Sequence, residues 1–146
     1  SVGLRRQMAR WPTGVAVVTG AGGTGPMGKT VNSFHVTFLD PPLVGWCIDH
    51  RSSQLDEWLA VPGYVVHVLA HHQHALMSHF ARSMTDRFHE VGWKPGLDGM
   101  PVLTDDVPLR LDCRVTHRLP VGDHTYLIGE VVAITATDEF PMRLQR

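Results

Sequence analysis

Apolar and polar residues follow one another in short runs along this chain, and most runs have the character of strands. Leu4, Met8 and Trp11 recur at helical spacing, which predicts a short amphipathic helix ended by Pro12. The β-rich run "GVAVVTG" (14–20) predicts a strand, and "AGGTGPMG" (21–28) has the glycine-rich composition of a flexible hairpin loop. Val31, Phe34, Val36, Thr37 and Phe38 are β-formers, and Asp40-Pro41-Pro42 would stop a helix, so 30–39 predicts a second strand. "LVGWCID" (43–49) predicts a third. A short helix is expected over 50–60, capped by Ser52 or Ser53, with Leu55, Trp58 and Leu59 as its apolar face. "YVVHVLA" (64–70) predicts a fourth strand, and "QHALMSHFARS" (73–83) a helix with Leu76, Met77 and Phe80 on one side. The stretch 85–101 is turn-rich, with one helical turn expected around Arg87.

In "VPLRLDCRVTHRLP" (107–120), Leu109, Leu111, Cys113 and Val115 alternate with Arg110, Asp112, Arg114 and Thr116. That period of two marks a strand with one wet face. "GDHTYLIGEVVAITATD" (122–138) is the last long strand, joined to the one before it by a turn over 120–123. About six strands with a few short helices point to a mainly β fold, an antiparallel barrel rather than a doubly wound sheet. Several junctions are too short for the crossover helices that a parallel sheet needs.

Composition narrows the classes. With 146 residues the chain is expected to form a single domain, and 43% hydrophobic residues argue against disorder. A net charge of −1 disfavours a nucleic-acid binder. Ten histidines beside thirteen Lys and Arg would make the surface more cationic in mild acid. No apolar run is long enough to cross a bilayer, and "SVGLRRQMARW" has no apolar stretch behind its arginines, so neither a membrane anchor nor a secretory signal is expected. The chain does not start with Met, and trimming is the expectation. Cys47 and Cys113 form no C-x-x-C pair, which suits inert buried thiols and a cytoplasmic setting.

Four stretches carry candidate chemistry. "GTGPMGKT" (23–30) fits the phosphate-loop pattern at every fixed position. Such a loop works at the start of a helix, whose amides and dipole favour the anion, and the residues after Thr30 predict a strand, so the match is read as coincidence. "GKTVNSFHVTFLDPPLV" (28–44) sets Thr30, Asn32, Ser33 and Thr37 in an otherwise apolar strand. These groups suit a flat ligand with polar edges, or else an ordinary exposed strand face. "DHRSSQ" (49–54) brings Arg51, two serines and a helix start together, which suits a phosphate or plain helix capping. His71, His72, His74 and His79 lack a shared face and a completing ligand for zinc, so they read as surface residues. His124, just after a turn, would orient a ligand at a barrel mouth or serve structure alone.

Taken in order, "WPTGVAVVTG" (11–20), "GKTVNSFHVTFLDPPLV", "HRSSQ" (50–54) and "GDHTYLIGEV" (122–131) resemble the flavin reductase-like, FMN-binding split-barrel family. The likeness runs from about Met8 to Thr135. It implies a six-stranded antiparallel split β-barrel that dimerises with flavin near the subunit interface. It further implies hydride transfer from NADH or NADPH to FMN or FAD, with reduced flavin passed to a partner monooxygenase. On the resemblance, Thr30, Val31, Asn32 and Ser33 contact flavin, Arg51, Ser52, Ser53 and Gln54 bind its phosphate, Thr13 approaches the ring, and Phe80 lies near the cofactor. His124 matches the histidine near the nicotinamide. Lys29 and His35 depart from the family pattern, as does "EFPMRLQR" (139–146), where relatives usually carry an apolar, aromatic tail. The rival expectations are an FMN-binding electron-transfer or sensor module and, more remotely, a histidine-based metal hydrolase.

Overall fold

The computed structural model describes residues 1–82 and 88–144. Helix α1 (Val2–Met8) and strand β1 (Thr13–Gly14) lead into β2 (Ala16–Gly22), β3 (Gly25–Val31), β4 (His35–Phe38) and β5 (Leu43–Asp49). Helix α2 (Leu55–Ala60), strand β6 (Gly63–Val68) and helix α3 (His74–Ala81) follow. The chain closes with β7 (Trp93–Pro95), β8 (Pro101–Leu103), β9 (Leu109–Val121), β10 (His124–Ala136) and β11 (Arg143–Leu144). Seven of these strands make one sheet in the order β3-β2-β6-β9-β10-β5-β4, with every pairing antiparallel.

The two edges of that sheet, β3 and β4, are neighbours in the chain, separated only by Asn32, Ser33 and Phe34. Six gaps of about 4.8 Å would set the edges of a flat sheet roughly 29 Å apart. The four residue steps from Val31 to His35 reach at most about 14 Å. The sheet therefore curls until its edges face each other with no ladder between them, which is a split barrel. Inside it Val18, Met27, Trp46, Ile48, Trp58, Tyr64 and Leu127 form the main core, with Trp46 edge-on to Trp58 at 5.2 Å between ring centres. On the outer face Val15, Val17, Leu69, Phe80, Phe88 and Met142 form a second cluster under α3. Strand β2 serves both clusters by simple alternation.

The sheet has one strand more than the six expected, because 30–39 breaks at the connector 32–34 into the end of β3 and a separate β4. The stretch 21–28 is strand on both sides of a tight Gly23-Thr24 tip; Gly25, at φ 137°, lets the chain reverse there. On β9 the alternation misleads, since Asp112 is buried. Its face is covered by the β7–β8 hairpin, whose Val102, with Met100, packs on Val65. The helix after β5 begins only at Leu55, and neither Ser52 nor Ser53 caps it; Gln54 holds the N-cap in the left-handed region at φ 59°. Helix α1 ends at Met8, and none of its residues is buried. The helical turn expected around Arg87 lies outside the described residues. No helix among those described is long and apolar enough to cross a membrane.

Candidate functional site

A cavity of about 300 Å³ opens where the split edge β3 passes the turn after β5. Lys29, Thr30 and Val31 from β3, Asn32 and Ser33 from the connector, and Cys47 and Asp49 from β5 form its walls. His124, first residue of β10, faces it because the β5–β10 ladder pairs His124 with Asp49. Val15 and Leu144 complete the lining, the latter carried in by β11, which pairs with β1. Segments far apart in sequence thus converge on one opening.

Most of the hydroxyls in this wall brace the fold. Thr30 Oγ1 donates to the Met77 carbonyl of α3 at 2.7 Å, and Ser33 Oγ accepts from the Cys47 amide at 3.1 Å. Thr37 lies on exposed β4, bonded to the Tyr126 hydroxyl at 3.0 Å, and takes no part in the cavity. What the wall offers a ligand is the outer backbone edge of β3, which has a strand partner on one side only. Thr13, paired on β1 with the lining residue Leu144, is not itself in the lining; its Oγ1 is buried with no hydrogen-bond partner among the described residues. A buried hydroxyl left unbonded costs on the order of 1–3 kcal/mol. Burial pushes the Cys47 thiol above its ordinary pKa, which keeps it protonated and unreactive.

The turn after β5 is ordered by Asp49. Its Oδ1 accepts from the Arg51 amide at 2.8 Å and from Arg51 Nε at 3.2 Å, and its Oδ2 accepts from Arg51 Nη2 at 2.8 Å. These bonds from Arg51 hold the Asp49 carboxyl well below the usual carboxylate range. The Asp49 carbonyl accepts from Ser52 N at 2.9 Å, and His50 Nε2 meets Thr125 Oγ1 at 2.7 Å, tying the turn to β10. Arg51, Ser52, Ser53 and Gln54 all lie outside the cavity lining, and Arg51, Ser53 and Gln54 are exposed. His124 sits between two carboxylates, with Nδ1 2.8 Å from Asp123 Oδ1 and Nε2 3.9 Å from Asp49 Oδ2. The Asp123 carboxyl is likewise held low, chiefly by its bond from His124.

Phe80 is not brought to the cavity. It is fully buried beneath β3, so close that a Cβ at Gly28 would lie 2.5 Å from its Cε1. His35 is also outside the lining: it stacks on Tyr126, and its Nδ1 lies 2.9 Å from the Ser33 carbonyl. Asp49 is the residue sequence reading passed over; its signal was an acid at a strand end two positions before an arginine. The phosphate-loop match 23–30 forms the β2–β3 tip and β3, with no helix after it. Of the clustered histidines, His72 pairs with Glu139 at 3.4 Å. No group of three or more His, Cys, Asp or Glu among the described residues is placed to hold a metal ion.

A family model described as "Flavin reductase like domain" matches residues 8–144. The chain belongs to that family. The NADH:FMN oxidoreductase of Rhodococcus erythropolis is 40% identical to this flavin reductase-like chain over 136 residues, covering 92% of it and 70% of the relative. The solved Streptomyces globisporus C-1027 NADH:FAD oxidoreductase, in complex with NAD and FAD fragments, superposes with a TM-score of 0.90 at 36% identity. That match covers 99% of this chain and 87% of the other. A solved Sinorhizobium meliloti 1021 protein gives a TM-score of 0.92 at 33% identity over 99% of this chain, which spans 50% of its length.

Proposed function

We propose that this flavin reductase-like chain is an NAD(P)H:flavin oxidoreductase, acting as one domain that passes hydride from NADH, or NADPH, to FMN or FAD. The observation that carries the reading is the convergence on one cavity of Thr30 and Val31 at the end of the β3 sheet edge, Asn32 and Ser33 of the connector, and His124. A bound flavin would supply the hydride acceptor, and the protein supplies binding, orientation and electrostatics. Thr30, Val31, Asn32 and Ser33 present backbone amides to the ring edge, where they stabilise negative charge. Thr13 gives its hydroxyl to the same ligand. Arg51, Ser52, Ser53 and Gln54 take the phosphate. Phe80 acts from below, holding β3 in place.

Asp123 fixes the proton of a neutral His124 on Nδ1, because a carboxylate can only accept. Nε2 is then an acceptor, suited to an N–H of the nicotinamide carboxamide. Orientation of the two rings, rather than a general acid, supplies the rate.

Two copies are proposed to pair through the apolar edge, since Val36, Phe38 and Leu39 are all more than half exposed. Cys47 and Cys113 are free thiols, in keeping with a reducing cytoplasm where NADH is available. Reduced flavin made here would be consumed by a separate monooxygenase.

Anaerobic mixing of protein, flavin and nicotinamide, in all four combinations of FMN or FAD with NADH or NADPH, tests the assignment. Loss of the oxidised flavin's visible absorbance is expected with NADH. Flavin that binds but keeps its absorbance would instead mark an electron-transfer or sensor module.

A further inference from the structure

We propose that Asp49 is a positioning residue that presets Arg51 for the flavin phosphate. The proposal rests on the flavin reading above and adds a residue to it. A guanidinium carries five N–H groups in a planar fork. Asp49 occupies one side of that fork, taking Nε–H at 3.2 Å and one Nη2–H at 2.8 Å. No further partner of Arg51's side chain is found among the described residues, and that side chain is 84% exposed. The end of the fork, both N–H of Nη1 and the second of Nη2, is left for an anion.

Asp49 is itself well held. It ends β5, is paired with His124 in the ladder, and its Oδ1 also accepts from the Arg51 amide at 2.8 Å. A free arginine loses much of its rotamer entropy when a ligand fixes it. Anchored from the side by a strand-borne carboxylate, Arg51 meets a phosphate with part of that ordering already done. The charge of Asp49, whose side chain is 27% exposed, is largely matched by the bidentate Arg51 guanidinium, so fork geometry outweighs repulsion of the phosphate.

FMN and riboflavin differ only in the phosphate, so their affinities isolate the effect, with titrations run calorimetrically and without nicotinamide. Asp49→Asn keeps the shape and the Oδ1 acceptor but turns a donor toward Nη2. Its dissociation constant for FMN is expected to rise about five- to tenfold, a loss of the size of one charge-assisted bond, with that for riboflavin unchanged. In an Arg51→Ala background, Asp49→Asn should add nothing. Equal weakening of both ligands, loss of riboflavin binding, tighter FMN binding, or an additive effect without Arg51 would each overturn the proposal. So would a wild-type protein that binds riboflavin as tightly as FMN, which leaves the flavin reading standing. Wild-type protein that binds neither ligand would remove the flavin reading itself.

Discussion

Thr30 donates its hydroxyl to a helix carbonyl, and Ser33 receives an amide from the neighbouring strand, so the small polar residues of this stretch first hold the wall and only then face a ligand. Composition reveals that such groups are present; which of them stay free depends on partners distant in sequence. The same holds for His124, whose place opposite Asp49 is fixed by the β5–β10 register. If Nε2 receives the nicotinamide carboxamide, His124→Ala loses about one hydrogen bond, near 1 kcal/mol. Steady-state kinetics should then show KM for NADH raised about fivefold, with the FMN dissociation constant unchanged.

His67 is a second case that no pattern announces. It lies in an apolar strand, buried, with Nδ1 donating to the Val17 carbonyl and Nε2 accepting from Leu103 N, each at 3.1 Å. Burial, above all, pushes its pKa down to about 4. The unfolded chain takes up this proton near pH 6.5, whereas the folded chain resists until about 4. Stability is therefore unaffected above pH 6.5, falls between about 6.5 and 4, and levels off below, by on the order of 3 kcal/mol in all. Urea unfolding at several pH values should show this loss, and His67→Gln should remove most of it.

Long periodic elements are legible in a sequence because many residues vote for the same face. β5 has the bounds that its apolar run predicts, and β9 and β10 form the expected hairpin. Elements of two or three residues carry no such vote. β11 is invisible by periodicity, and the β7–β8 hairpin hides in glycine- and proline-rich composition, yet one delivers Leu144 to the cavity and the other buries Asp112. Support between elements is equally hard to foresee. β3 lies on Phe80 of α3 with no room between them at Gly28, so Gly28→Ala must push the ring or the strand aside. A loss of about 1–3 kcal/mol in unfolding free energy is expected, together with weaker flavin binding, because the displaced strand carries Thr30.

Curling brings the two edges of the sheet together without joining them, and along that seam each edge strand has a strand partner on one side only. The end of β3, Thr30 and Val31, lines the cavity. On β4 all four residues are exposed, and Phe38 and Leu39 stand 59% and 84% open. An apolar strand edge of this kind invites pairing with another chain. Phe38→Glu is expected to convert the proposed dimer to monomers in sedimentation velocity while leaving the circular dichroism of the sheet intact. The fold class was legible because strand count and junction length both exclude a parallel sheet. The seam was not, because it depends on which strands end up at the edges.

Trp46 is fully buried in the barrel, and the next residue along β5, Cys47, lines the cavity. An indole one position behind the wall lies within easy reach of a flavin ring for resonance energy transfer. Filling the site should dim the ultraviolet emission of the unlabelled protein, so the molecule carries its own optical gauge of occupancy.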